Sequence, residues 1–262
     1  MIQAGNIRVL GAGITAHATA LLLSQQGWRV QLSAPPQRQH DASVRDIRAY
    51  AINHRSRATL SACGVWPAHD QAPWITPVRQ MRVFGDTTGQ LFLDPPSINP
   101  PQLTEPRDPV AWMVEVPALE DALLEACQSS DGIATDGVDS TRSTITPDLT
   151  VVCEGQTSMH DGFERNKITY PHRAIAARVR ASLPHEGVAQ QWFDGERILA
   201  LLPIGGATGS DLAVVWSVPT AEQQHWLANT SETGTAPLAA ELTAQSRNTL
   251  GTLHMTAGPV GF

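Results

Sequence analysis

No run of apolar residues in the 262-residue chain is long enough to cross a bilayer, which takes about 20, and no basic leader or cleavage site precedes its first apolar strand. Neither a membrane span nor a secretory leader is expected, and the expected location is the cytoplasm, free or peripheral to the membrane. Basic charge is scarce too: 18 Lys and Arg against 25 Asp and Glu leave a formal charge of −7. A nucleic-acid partner needs a basic face, so none is expected. The three cysteines, Cys63, Cys127 and Cys153, are odd in number and lack C-x-x-C spacing, which excludes a disulfide framework and fits reduced thiols. The nine histidines include no H-x-x-x-H pair and no Cys/His cluster at ligand spacing, so no metal is expected. Gly209-Ser210 lacks the flanking glycines of a nucleophile elbow, which sets hydrolase chemistry aside. No catalytic base stands out.

What is present starts at the N-terminus. The apolar run Ile7 to Leu10 ends at Gly11, an Ala- and Leu-rich stretch from Ala16 to Gln26 closes on Gly27, and Trp28 to Leu32 alternates before Pro35-Pro36. Strand, helix and strand follow in order, a βαβ unit. Apolar spacing from Asp46 to Gly64 predicts a second helix, and Val78 to Asp94 predicts a hairpin around a Gly-bounded turn. The proline-rich stretch 99–109 predicts a connection. Val116 to Cys127 predicts a helix with Leu119, Leu123 and Leu124 on one face, and Leu149 to Cys153 a buried parallel strand. Four strands (Ala174 to Val179, Val188 to Phe193, Ile198 to Leu202, Leu212 to Ser217) and two helices (Thr220 to Asn229, Pro237 to Asn248) complete the chain. The fold class is therefore α/β, a Rossmann-like βαβ dinucleotide-binding domain interleaved with a β-rich substrate domain. The first is expected to take residues 1–75 and 105–160, the second 76–104 and 161–262.

The sharpest local signal is GAGITA, residues Gly11, Ala12, Gly13, Ile14, Thr15 and Ala16, lying between the first strand and the first helix. Gly11 permits the tight turn, Gly13 lets backbone approach a pyrophosphate, and a small Ala16 lets helix and strand pack closely. The phosphate would sit at the helix N-terminus, where open N–H groups and the helix dipole favour an anion. On the motif alone, a glycine turn without a ligand is equally compatible. The acidic residue that usually holds the ribose falls at Ser33 or Ala34.

Four stretches together resemble the flavin-dependent aromatic hydroxylases of the para-hydroxybenzoate hydroxylase type, in particular the ubiquinone-biosynthesis branch. They are GAGITA; Asp46-Ile47-Arg48 running on to Cys63-Gly64-Val65-Trp66; VVCEGQTS ending at Ser158; and the run from Ala174 through PHEGVAQQWF and LALLPI to VVWSVP. The resemblance implies FAD as cofactor, NAD(P)H as reductant, O2 as co-substrate and hydroxylation of an aromatic ring, with a polyprenyl phenol as the substrate class. It places Arg48 on the FAD pyrophosphate, and Glu154 and Gly155 where the family has an Asp-Gly pair that contacts FAD and NAD(P)H. It also implies a substrate between the FAD domain and the sheet of residues 174–217, and association with a ubiquinone-biosynthesis complex. The family's C-terminal Gly-Asp motif has no counterpart before Phe262. On that ground the chain is expected to be either a piece of a hydroxylase or a shortened, non-catalytic relative serving as a scaffold, and the 262 residues alone are not expected to turn over. A nicotinamide-dependent dehydrogenase built on the same βαβ unit is the third alternative.

Overall fold

The computed structural model describes residues 5–33, 46–68, 72–94, 108–135, 146–153 and 168–262. In chain order its elements are β1 (Asn6–Leu10), α1 (Ile14–Gln25), β2 (Arg29–Ser33), β3 (Ala49–Ile52), α2 (His54–Ala62), β4 (Ile75–Val78), β5 (Gln80–Phe84) and β6 (Gln90–Leu93). There follow β7 (Ala111–Glu115), α3 (Val116–Gln128), β8 (Ile133–Thr135), β9 (Leu149–Val152), β10 (His172–Ala181), β11 (Val188–Asp194), β12 (Arg197–Ile204) and β13 (Asp211–Pro219). Helices α4 (Thr220–Thr233) and α5 (Ala236–Gln245) and strand β14 (Leu253–Gly261) end the chain. The fold is mixed α/β, with a parallel sheet and a separate β-rich layer. It divides into two compact units: Met1–Val44, Arg55–His69 and Pro117–Lys167 in one, Arg45–His54, Asp70–Val116 and Ile168–Phe262 in the other.

The first unit holds a four-stranded parallel sheet in the order β8-β2-β1-β9. Helix α1 forms because Ala and Leu dominate it, and it stops where Gly27 takes φ +89°, a value that glycine reaches without strain. Its inner face buries Ala16, Ala20 and Leu21. The strand expected at Leu149 to Cys153 is present and parallel to β1, but it is not buried. It is the outer strand of the sheet, and Leu149 and Val152 are 55% and 44% exposed. An apolar run marks a strand without saying whether neighbours cover both of its faces.

The second unit is built on a seven-stranded sheet in the order β14-β10-β13-β12-β11-β5-β6. Alternation along β10 to β13 sends Ile175, Val179, Leu201, Leu212, Val214 and Trp216 to one face, where they form a core with Leu238 and Leu242 of α5. Part of the other face packs, through Ala189, Ile204 and Ala213, against Val78, Ala111 and Met113 of a three-stranded sheet ordered β3-β7-β4. The helix expected from Asp46 to Gly64 begins only at His54. Residues 49–52 are instead a strand, because β7 offers a ladder from Ala49 opposite Glu115 to Ile52 opposite Trp112. Pairing with a buried strand overrides weak helical spacing. Arg48 therefore precedes a strand and does not start a helix.

The hairpin is found as β5 and β6 about Gly85–Gly89, with Met81 opposite Leu93. Helix α3 buries Leu119 and Leu123 and leaves Leu124 37% exposed. The proline-rich connection lies mostly outside the described residues.

Candidate functional site

Strand order reverses at β1, which has β2 on one side and β9 on the other. Open α/β sheets leave their ligand crevice at such a switch point, beyond the C-terminal ends of the strands. The chain leaves β1 there through Gly11, whose N–H donates to the Ser33 carbonyl at 3.0 Å. Gly11 has φ +141°, and a Cβ added to it would lie 2.6 Å from the Cys153 carbonyl oxygen of the adjacent strand end and 3.1 Å from the Ala16 Cβ. Both its backbone and its neighbours demand glycine. Ala16, fully buried, is as small as that approach requires.

Gly13 is different. As the N-cap of α1 it has φ −98° and ψ −179°, an extended conformation open to any residue, and a Cβ there would meet nothing within 4 Å. Neither dihedral strain nor packing against a described residue accounts for this glycine. Among the described residues no side chain caps α1, so the first-turn N–H groups of Ile14, Thr15 and Ala16 are placed to meet an outside acceptor. Thr15 is exposed, and Ala12, Gly13 and Ile14 are half-buried. His17 was not anticipated from the sequence. It is buried, and its Nδ1 lies 3.0 Å from the Gly13 carbonyl. A carbonyl only accepts, so Nδ1 carries the proton and the ring pins the Gly13 peptide.

The three thiols surround this helix. Cys127 Sγ donates to the His17 carbonyl, Cys63 Sγ to the Ala18 carbonyl, and Cys153 Sγ to Thr19 Oγ1. Burial pushes the Cys63 thiol up, and burial with the nearby Cys63 pushes Cys127 up to about 11. Both are neutral packing groups and not nucleophiles.

Arg48 belongs to the second unit. Its guanidinium is held by Asp46, with Nη2 to Oδ2 at 2.6 Å and Nε to Oδ2 at 2.9 Å, and its carbonyl accepts from Val116 N–H at 3.1 Å and Arg178 Nη2 at 3.2 Å. The Arg48 side chain remains 43% exposed. Glu154, Gly155 and Ser158 lie outside the described residues, as does Ala34; Ser33 ends β2. Among the expected cofactor residues, the structure therefore brings Gly11 through Ala16 together at one strand-to-helix turn.

No known protein-family model matches the chain. Solved structures of similar shape do exist. PqsL of Pseudomonas aeruginosa, described as a probable FAD-dependent monooxygenase, superposes with a TM-score of 0.63 at 15% identity over 99% of this chain and 74% of its own. A tetrameric form of 2-methyl-3-hydroxypyridine-5-carboxylic acid oxygenase gives 0.64 at 14% over 99% and 70%. The p-nitrophenol 4-monooxygenase PnpA of Pseudomonas putida DLL-E4 gives 0.64 at 14% over 98% and 67%. The chain shares their fold. At such identities the likeness is one of architecture, and residue roles have to come from the geometry.

Proposed function

We propose that this chain is an FAD-dependent monooxygenase that hydroxylates an aromatic ring with O2. The observation that carries the reading is Gly13, a glycine that no described residue requires, at the N-terminus of α1, which no described side chain caps, and at the switch point of a parallel sheet. A space that only a Cβ would fill, bordered by open N–H groups, suits a pyrophosphate. The named functions of neighbours sharing the fold favour an oxygenase over a scaffold.

Gly11, Ala12, Gly13, Ile14, Thr15 and Ala16 would hold the pyrophosphate end of FAD through backbone groups. Arg48 would add a guanidinium if Asp46 releases it, a surface pair worth no more than about 1 kcal/mol. Glu154 and Gly155 complete the proposed set on sequence grounds. When bound, FAD supplies the oxygen-activating redox chemistry, with NAD(P)H proposed as the reductant. The second unit would bind and orient the ring. The sequence resemblance extends the proposal to a polyprenyl phenol of ubiquinone biosynthesis as substrate, to a cytoplasmic chain peripheral to the membrane, and to association with the corresponding complex. Among the described residues no helix is long and apolar enough to cross a membrane.

The test is Gly13→Val. A valine at an extended N-cap with open space around it leaves the fold intact yet fills the phosphate approach. Purified wild-type chain should bind FAD, read by quenching of flavin fluorescence, and the variant should bind at least 100-fold more weakly with an unchanged far-UV circular dichroism spectrum. Equal FAD affinity in the two proteins, or none in the wild type, would sink the reading.

A further inference from the structure

The outermost strand of the seven-stranded sheet is β6, which pairs with β5 on one side and has no described strand on the other. It reads Gln-Leu-Phe-Leu, and every residue of it is exposed: Leu91, Phe92 and Leu93 stand 54%, 49% and 40% open. Single apolar residues at a surface are ordinary, but three in succession on a sheet edge are not. Edge strands are commonly blunted by lysine, proline or an inward charge, and β6 carries none of these. Nor is the strand loosely held. Asp86 in the turn accepts the Gly195 N–H at 3.3 Å and Arg247 Nη2 donates to the Gly85 carbonyl at 3.4 Å, which ties the β5–β6 hairpin to the rest of its unit.

Register fixes what this edge presents. The Gly85 N–H donates to the Gly89 carbonyl at 2.7 Å, and Val83 and Met81 stand opposite Leu91 and Leu93. Hydrogen-bonded and non-hydrogen-bonded pairs alternate along an antiparallel ladder. Leu91 and Leu93 therefore direct their backbone groups to β5, and Gln90, Phe92 and Asp94 turn N–H and C=O outward. Side chains alternate as well. Leu91 and Leu93 lie on the face of Met81, which packs against the cluster of Val78, Ala111 and Met113, and Phe92 lies on the face of Phe84, which stacks on Trp192 at 5.4 Å.

We infer that β6 is a dimerisation edge, and that its partner is β6 of a second copy of this chain. Two copies related by a two-fold axis normal to the sheet, with Phe92 on the axis, pair every outward residue at once: Phe92 with Phe92, and Gln90 with Asp94 in both directions. That register makes about six backbone hydrogen bonds. It sets Leu91 of each copy beside Leu93 of the other on one face, and the two Phe92 rings side by side on the opposite face. No like charges meet. Asp94 accepts from Gln80 Nε2 at 2.6 Å on Oδ1 and takes the Gln90 amide of the second copy on Oδ2. Pro95-Pro96 follow in the sequence, and proline has no N–H with which to lengthen the ladder. This order is complementary to itself, which selects a second copy over a foreign strand. A lipid surface fits it less well, since the three apolar side chains leave the strand on opposite faces and the turn before them, Asp86-Thr87-Thr88, is polar. The apolar area covered is on the order of 600 Å², below the roughly 1,200 Å² of a permanent dimer, so the association is reversible and set by concentration.

The inference is independent of flavin binding. Sedimentation velocity on the full 262-residue chain without added ligand should show monomer at about 1 µM and dimer at about 500 µM, the range that a small interface allows. Phe92→Lys sets two like charges on the axis and should stay monomeric at the upper concentration, with an unchanged Tm because the side chain is exposed. Phe92→Cys reports the register. Hydrogen-bonded antiparallel pairs hold their Cα atoms about 5.5 Å apart, within the span of a disulfide, so copper phenanthroline should link two copies through position 92. Leu91→Cys faces Leu93 of the second copy and should cross-link at least tenfold more slowly, and the wild type, with Cys63 and Cys127 buried, should not cross-link. A wild type that is monomeric at about 500 µM, a dimer that Phe92→Lys leaves intact, or cross-linking at 91 as fast as at 92 would each overturn the inference. Open-ended aggregates would do so too, because a two-fold contact closes on itself. So would binding to phosphatidylglycerol vesicles that Phe92→Lys abolishes in a chain otherwise monomeric, which would assign the hairpin to a membrane.

Discussion

The parallel sheet of the first unit and the mostly antiparallel sheet of the second present their chemistry in different places. In the first, the strands run the same way, so their C-terminal ends converge and the groups offered there are backbone N–H at Gly13 and the start of α1. In the second, every neighbouring pair but the parallel β5 and β11 is antiparallel and the offering is a face, assembled from side chains that are remote in sequence, such as Val83, Gln191 and Val215. A backbone site tolerates little at its glycines. A face made of side chains tolerates substitution at any one position, provided that the core beneath it holds.

Breaking that core should produce the largest effect. Trp216 is fully buried beneath that sheet, packed near Trp226. Trp216→Ala should cost about 3–5 kcal/mol, a fall in Tm on the order of 10 °C read by near-UV circular dichroism. A loss below about 1 kcal/mol would show that this core is not what supports the sheet. Next in size is Gly11→Ala in the first unit. The left-handed backbone and the 2.6 Å approach to the Cys153 carbonyl should cost about 2–4 kcal/mol, so a variant as stable as wild type in urea would refute the strained turn. Gly13→Val serves as its control, since it should change stability by no more than about 1 kcal/mol while removing FAD.

A smaller effect separates the units by pH. His185, 1% exposed in the second unit, accepts the Gly187 N–H on Nδ1 at 3.0 Å and donates from Nε2 to the Ile204 carbonyl at 3.1 Å. Burial lowers its pKa, opposed in part by that carbonyl and by Asp211. Above the unfolded value of about 6.5 the ring is neutral in both states. As pH falls through that value, the unfolded chain takes up a proton that the folded chain refuses, so stability is lost with a slope of at most about 1.4 kcal/mol per pH unit. Urea melts at pH 7.5 and 5.5 should show this loss in wild type and not in His185→Gln. Equal losses in the two proteins would assign the pH dependence elsewhere.

Sequence alone determined the β1–α1 turn, because what a glycine does there is local: Gly11 supplies a backbone angle, and Gly13 omits a side chain within six residues of GAGITA. It determined β10 to β13 as well, since a short run of strand-forming residues at close spacing is written into each strand and needs no partner to be read. Tertiary structure decided the rest. Residues 49–52 became a strand because β7 lies beside them, β9 became an exposed edge because β1 is its only neighbour among the described strands, and the Arg48 guanidinium met Asp46. The row that aligns Val83 with Gln191 and Val215 was likewise invisible in the chain, because register between strands up to about a hundred residues apart is settled by which faces can be buried together, and burial is a property of the assembled sheet.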